Sequence, residues 1–280
     1  MYHPDTRIVP ALAMTMFLFA GCAQFPTQDH GPAMPVDVSQ VPNAIPRNEP
    51  KSPYGNPPSY TVNGQTYSVL PNCAGYHERG IASWYGSKFH GGRTSDGETY
   101  DMYTMTAASK VLPLPCYVQV TNLQNGKSVI VKVNDRGPFV ANRIIDLSYA
   151  AASRIGMLGN GTALVDVSAV TPGEPTPPIG AGSNVPMQSG APSVNAATGT
   201  ATKPQIFVQV GAFANQSNAE RVLRRLQASA ISRAFILTEI QNGITFYKVR
   251  IGPMPDVNNV DNLTMELGTL GFKNTQVVIP

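Results

Sequence analysis

Residues 117–139 read YVQVTNLQNGKSVIVKVNDRGPF, and this stretch decides the fold of the first half of the chain. Tyr117–Thr121 and Ser128–Val133 alternate apolar with polar positions and are rich in β-branched residues, the pattern of half-buried strands. Between them, Asn125-Gly126 signals a hairpin, because both residues tolerate positive φ. Asn134-Asp135-Arg136-Gly137-Pro138 follows directly. A carboxylate at a strand end, beside an arginine and a stiff Gly-Pro turn, is placed to be held in one geometry, and loops on rigid scaffolds commonly carry function. The competing reading of Asp135 is a turn aspartate that accepts backbone N–H bonds.

Working outward, Arg79–Tyr85 is a short apolar segment bounded by glycines, and Ala163–Val170 alternates again. Leu147–Ile155 predicts one short helix, with Ser148 as N-cap and Gly156 as its stop. A polar, glycine-rich loop runs from His90 to Glu98. Residues 60–170 therefore predict a small, mostly β domain closed into a barrel. Trp84 and Tyr85 suit stacking on a ligand, since an aromatic ring offers an apolar platform with a polar edge; the alternative is barrel core. His90 and Arg136 complete the candidate substrate-binding set.

The C-terminal part, residues 204–280, reads as β-α-β-β-α-β. Gln205–Phe213 alternates and sets Phe207 opposite Ile206 and Val208. Ser217 and Glu220 predict a capping box, and Ala219, Val222, Leu223 and Leu226 form one helix face. Ser232–Ile240 and Thr245–Ile251 pair across a turn at Asn242-Gly243. Leu263, Leu267 and Leu270 predict a second helix closed by Gly271, and Asn274–Ile279 supplies the last strand. This order implies a ferredoxin-like α+β fold.

Length and composition fit two domains joined by linkers. The chain has 280 residues, only 13% of them charged, with 25 glycines and 25 prolines. The net charge of +3 argues against a nucleic-acid partner, which calls for concentrated basic residues. Residues 1–21 predict an export signal: Arg7 precedes the apolar run Val9–Ala20, which is too short for a bilayer span and ends in small residues. Phe19-Ala20-Gly21-Cys22 resembles the bacterial lipobox, in which the cysteine receives a lipid that holds the protein at a membrane. Residues 22–59 lack apolar periodicity and predict a disordered tether; residues 171–203, rich in Gly, Ala, Ser, Thr and Pro, predict a flexible linker. Cys73 and Cys116 remain, an even number in an oxidising compartment, and predict a disulfide. Scattered histidines and unpaired cysteine spacing predict no metal site, and nothing calls for a cofactor.

Five ordered motifs carry a family resemblance. Gly80–Gly86 (GIASWYG), Thr94–Tyr100 (TSDGETY), Met105–Ala108 (MTAA), Val133–Phe139 (VNDRGPF) and Ile145–Ser148 (IDLS) resemble the rare lipoprotein A family. The resemblance implies a double-psi β-barrel and a lytic transglycosylase that cleaves peptidoglycan strands stripped of stem peptides. It also implies that Glu98 and Asp135 are the catalytic carboxylates. The family commonly has His after its Thr-Ala-Ala stretch, where this chain has Ser109; Cys73 and Cys116 also depart from the family pattern.

A lytic transglycosylase protonates the glycosidic oxygen, and the muramyl C6 hydroxyl of the same ring attacks, giving a 1,6-anhydro product. Intramolecular attack supplies a high effective concentration, so one carboxyl can serve as acid and then base. Asp135 is the expected acid/base, and Glu98 the group that stabilises oxocarbenium charge or tunes Asp135, with exchanged roles left open.

Phe207–Phe213 (FVQVGAF) and Tyr247–Pro253 (YKVRIGP) resemble SPOR domains, which bind glycan strands lacking stem peptides at division sites. Phe207, Gln209, Tyr247 and Arg250 are then the candidate glycan contacts. The combined expectation is a periplasmic lipoprotein, held at the outer membrane and enriched at the septum, with denuded glycan as partner and division-machinery proteins as candidate partners. The alternative is a non-catalytic peptidoglycan-binding lipoprotein of the cell envelope.

Overall fold

The structure is a computed structural model that describes residues 29–34, 36–173 and 204–280. The proposed signal, Cys22 and most of the expected linker lie outside the described residues.

Chain order begins with a hairpin, β1 (Ser59–Val62) and β2 (Gln65–Ser68), closed by Asn63 and Gly64 at φ 51° and 76°. β3 (His77–Tyr85), β4 (Thr106–Ser109), β5 (Cys116–Asn122), β6 (Ser128–Asp135), β7 (Arg143–Ser148) and β8 (Ala163–Ala169) follow, with α1 (Tyr149–Arg154) between β7 and β8. These six strands close into a barrel in the order β3-β7-β4-β6-β5-β8. β3–β7 and β4–β6 pair parallel and the other neighbours antiparallel, the arrangement of a double-psi β-barrel. Its core is apolar and tightly closed, with Val118, Val131, Val133 and Leu147 fully buried.

The expected hairpin at residues 117–133 forms, but its loop spans five residues, and of Asn125 and Gly126 only the glycine takes a positive φ, 72°. The expected helix starts later than its periodicity suggests. Ser148 is the N-cap and accepts from the Ala151 N–H, whereas Arg143–Ser148 is a strand, because it pairs in parallel with β3. An apolar run shared by a strand and a helix cannot be divided by periodicity alone.

Residues 36–58 do not behave as a free tether. They form a strap on the barrel, with Val38 buried in its core and the Ala44 N–H bonded to Ile130 O at 3.0 Å. Ser52 N–H and Asn56 Nδ2 both donate to Leu114 O, at 2.8 and 2.7 Å. The Glu49 carboxylate takes bonds from the Tyr117 hydroxyl and Lys132. The strap adds little apolar surface, so composition does not reveal it; it is held by backbone groups that the barrel would otherwise leave unpaired.

The expected disulfide is not formed. Cys73 and Cys116 stand as two thiols that share a hydrogen bond. That bond lowers the Cys73 thiol and raises Cys116, which is also buried. A disulfide requires the sulfurs to close to about 2.05 Å.

The C-terminal domain has β9 (Ile206–Phe213), α2 (Gln216–Ala228), β10 (Ala234–Gln241), β11 (Ile244–Met254), α3 (Val257–Thr269) and β12 (Gln276–Val278). Its sheet order, β10-β11-β9-β12, is that of a ferredoxin-like fold, and both helices pack on one face. The cap of α2 is Asn215 rather than Ser217, since the Asn215 side chain reaches the Ser217 N–H at 2.9 Å. The two domains touch. Arg143 makes a two-pronged ion pair with Asp261 at 3.0 and 2.6 Å, and Ile81 and Leu164 of the barrel join the apolar cluster of the C-terminal domain.

Candidate active site

β6 ends at Asp135, and the loop 94–98 is stitched to that end. Asp96 N–H donates to Asn134 O at 3.3 Å, and the loop closes on itself through Thr94 N–H to Glu98 O at 2.9 Å, with Gly97 at φ 95°. Asp135 Oδ1 accepts three hydrogen bonds, from Ser95 N–H (2.8 Å), Ser95 Oγ (2.6 Å) and Arg136 N–H (2.7 Å). Among the described residues, Oδ2 accepts none. One oxygen is fixed by donors of the turn, as the turn reading of Asp135 expects, and the other is uncommitted among the described residues.

Glu98 sits three residues after Ser95 and is tied to the residue before Asp135. Its Oε1 accepts from Lys132 Nζ at 2.7 Å and its Oε2 from Asn134 Nδ2 at 2.9 Å. Partial burial alone would raise its proton affinity, but these two bonds and the Lys132 charge outweigh it, and the pKa is lowered. The Glu98 side chain is 47% exposed and Asp135 is half-buried, so neither is sealed from solvent. The same loop and strand end hold both carboxylates.

A third carboxyl belongs to this neighbourhood. Across β4, Ala108 pairs with Asp135 on one side and with Asp146 on the other. That separates the two backbones by two strand spacings, about 10 Å. Burial raises the pKa of Asp146 to about 7; the Ser83 hydroxyl and Arg143 oppose this, and the charges of Asp29 and Asp135 add to it. Its Oδ1 is screened from solvent and has no hydrogen-bond partner among the described residues. A lone acidic residue inside the apolar run Ile144–Leu147 was the available sequence signal.

The other expected contacts divide. Tyr85 is core: it is 5% exposed, stacked on Tyr100 at 4.1 Å and edge-on to Phe89, so no face remains for a sugar. Trp84 is half-buried between Tyr149, at 5.9 Å, and the segment at Gly31 that precedes the strap. His90 accepts from the Met102 N–H at 3.2 Å and stands edge-on to Tyr103, away from the groups that hold the two carboxylates. The Arg136 guanidinium is spent within the protein: it donates to Gly55 O (2.8 Å), Ser109 O (3.1 Å), Leu112 O (2.5 Å) and Asn56 Oδ1 (3.2 Å). It fastens the strap and the segment after β4 to the Asp135 turn, which is a positioning role and not a substrate contact. Ser109 is likewise a local cap, its Oγ accepting from the Val111 and Leu112 N–H groups at 3.3 and 3.2 Å.

On the C-terminal sheet, the face opposite the helices carries Phe207, Gln209 and Arg250. Arg250 Nε donates to Gln209 Oε1 at 3.1 Å, and Phe207 meets Phe235 edge-on at 5.9 Å. Tyr247 turns the other way and packs with the buried core, because it alternates with Lys248 and Arg250 along β11. Phe235 and Lys248 lie on the open face and were not expected there; β10 gave no sign of which of its sides would be covered.

Comparison with known proteins matches this division. A family model described as lytic transglycolase covers residues 77–167, and a SPOR domain model covers residues 203–278. An endolytic peptidoglycan transglycosylase RlpA of Pseudomonas aeruginosa is 39% identical over 274 residues, spanning 84% of this chain and 80% of the relative. The chain belongs to the RlpA family. An RlpA of Vibrio cholerae, with the same descriptive name, is 48% identical over 170 residues, 59% of this chain and 64% of its own. The solved RlpA SPOR domain from Pseudomonas aeruginosa aligns with 27% of this chain and 99% of itself, at 27% identity and a TM-score of 0.24. Asp135, Glu98 and Asp146 all fall inside the RlpA barrel region matched by the first model, whereas the hairpin β1–β2 lies before it.

Proposed function

We propose that this chain is an endolytic peptidoglycan transglycosylase that cleaves glycan strands lacking stem peptides and releases 1,6-anhydromuramyl ends. The observation that carries the reading is Asp135, with Oδ1 locked by three donors and Oδ2 accepting none among the described residues, at the same strand end that holds Glu98 through Lys132 and Asn134. Asp135 delivers a proton to the leaving glycosidic oxygen and then, as carboxylate, takes the proton of the muramyl C6 hydroxyl as that oxygen closes on C1. Glu98, whose charge is supported by Lys132 and Asn134, stabilises the oxocarbenium-like transition state. Asp146 adds a group that titrates near neutrality close to the reacting pair.

The C-terminal sheet places the enzyme on denuded glycan through Phe207, Gln209, Arg250 and Phe235, and so concentrates it at the division septum. Lipid at Cys22 holds it in the envelope, at the outer membrane. Support for these finer points comes from the SPOR match and the lipobox pattern.

The test is digestion of purified, amidase-stripped sacculi, followed by mass spectrometry of the soluble products. The expected result is 1,6-anhydromuramyl ends from the wild type, reduced about 10²–10⁴-fold by Asp135→Asn and also strongly reduced by Glu98→Gln. Reducing ends would instead show a hydrolase. One observation favours a non-catalytic, wall-binding role: Ser109, where the family commonly has His, is consumed by capping a turn and offers nothing to the site. Under that reading the sacculi are bound and no products form.

A further inference from the structure

An aromatic groove opens beside Asp135, built by a segment that precedes the matched barrel region. The hairpin β1–β2 sets Tyr60 directly across from Tyr67, with ring centroids 5.5 Å apart. Phe139, on the turn that follows Asp135, closes the cluster at 6.3 Å from Tyr60 and 5.8 Å from Tyr67. The hairpin is pinned in place: the Tyr60 hydroxyl donates to Lys110 O at 2.8 Å, and Leu70 N–H donates to Val111 O at 2.7 Å. Arg136 lies over the Tyr60 ring at 5.8 Å while its donors stay engaged elsewhere.

The resulting groove has a volume of about 330 Å³ and is walled by Pro57, Tyr60, Val62, Phe139, Arg136 and Ser95. Ser95 is the link, because the same residue donates two of the three hydrogen bonds that fix Asp135. Phe139 remains 39% exposed, an unusual cost for a phenylalanine at the mouth of a groove. The Gly55 backbone lies against Ser95 so closely that a Cβ there would stand 2.6 Å from Ser95 O, which keeps the strap tight against the groove wall.

We propose that this groove is a saccharide subsite for the sugar residue next to the cleaved bond, taking the apolar face and N-acetyl methyl of one hexosamine. This rests on the transglycosylase reading of Asp135. The chemistry selects a sugar over an acidic peptide or a phosphate: the lining is largely apolar, and the only cation in it has its guanidinium donors committed to protein acceptors. A pyranose presents C–H groups on one face, which suit aromatic rings. The volume sits at the lower end for small-molecule sites and holds one ring rather than an extended strand. Continuity through Ser95 ties the bound sugar to the reacting carboxylate, so occupancy of the groove sets the position of the bond to be cut.

The test uses the full chain and a stem-peptide-free tetrasaccharide of alternating N-acetylglucosamine and N-acetylmuramic acid. Phe139→Ala is expected to raise KM about three- to ten-fold with kcat within about two-fold of wild type. Phe139→Leu, which keeps apolar bulk without a ring face, is expected to fall between. Thr61→Ala, on the outer side of the hairpin, is expected to leave KM unchanged. An unchanged KM in Phe139→Ala overturns the subsite. If the alanine variant does not fold, ring resonances of ¹³C-labelled Phe and Tyr are followed as the tetrasaccharide is added to Asp135→Asn. Shifts at Tyr60, Tyr67 and Phe139 support the subsite; shifts confined to Phe207 and Phe235 refute it. Those ring shifts without cleavage by the wild type would keep the subsite and discard the transglycosylase reading, whereas cleavage with unaltered KM would do the reverse.

Discussion

The Asp135 turn and the open face of the C-terminal sheet both carry polar and aromatic side chains, yet they are built differently. At the turn nearly every polar group is committed before any ligand arrives: Asp135 Oδ1 to three donors, Arg136 to four acceptors, Glu98 to Lys132 and Asn134. On the sheet, Gln209 and Arg250 share one bond and Phe207 leans on Phe235. Cutting a bond needs a reactive oxygen placed to within a fraction of an ångström, so its supporting contacts must be made in advance. Holding a repeating polymer needs area and complementarity, and tolerates side chains that adjust on contact.

Three variants sharpen that contrast. The largest effect is expected on pH-dependent stability at the barrel. Burial raises Asp146 from 3.8 to about 7. The folded protein therefore holds this proton more tightly than the unfolded chain. Its contribution is fully present below about pH 4, declines as pH rises towards 7, and is lost above that. Asp146→Asn removes the decline, so thermal melts should match wild type near pH 4 and exceed it at pH 8, with a ceiling of roughly 4 kcal/mol. Equal melting temperatures at pH 8 would show that the carboxyl is solvated.

A smaller loss is expected from Arg136→Lys. A lysine cannot span four acceptors in a plane, and the orphaned Gly55, Ser109 and Leu112 carbonyls should cost about 2–3 kcal/mol of barrel stability in urea titrations. Activity should fall with it, since the Asp135 turn loses its brace. A variant as stable as wild type would mean that water replaces the guanidinium without penalty.

The smallest effect belongs to the sheet. Phe207→Ala should weaken binding to denuded sacculi by about ten-fold while leaving turnover of the soluble tetrasaccharide intact. A matching loss of turnover would break the division of labour, and point to the Arg143–Asp261 contact as a coupling between the domains.

Much of this was legible in the chain. The two long strands that frame Asp135, the β-α-β-β-α-β order, and the placement of Phe207 opposite Ile206 all follow from alternation, because a strand has a strict period of two. β4 and β7 were not legible: Thr106–Ser109 is too short to show a period, and Arg143–Ser148 merges with the following helix. Within the site, Asp135 and Glu98 were marked by their motifs, but the fate of their neighbours was not. Arg136 and Tyr85 look like substrate contacts in one dimension; only the fold shows Gly55 and Ser109 taking the guanidinium and Tyr100 covering the phenol. Tyr247 was misplaced because it and Arg250, three residues apart on β11, cannot share a face, and which of the two faces the helices cover is a tertiary fact.

The strap has a consequence for geography within the envelope. Six residues separate Cys22 from Asp29, whose carboxylate already receives the Gly86 N–H at 2.6 Å. The seven residue-to-residue steps from Cys22 to Asp29 extend at most about 25 Å, against well over 100 Å for a leash running freely to residue 59. If acyl chains are fixed at Cys22, the cleaving module is moored close to the bilayer. Only wall material that comes within about one protein diameter of that membrane would ever meet its Asp135.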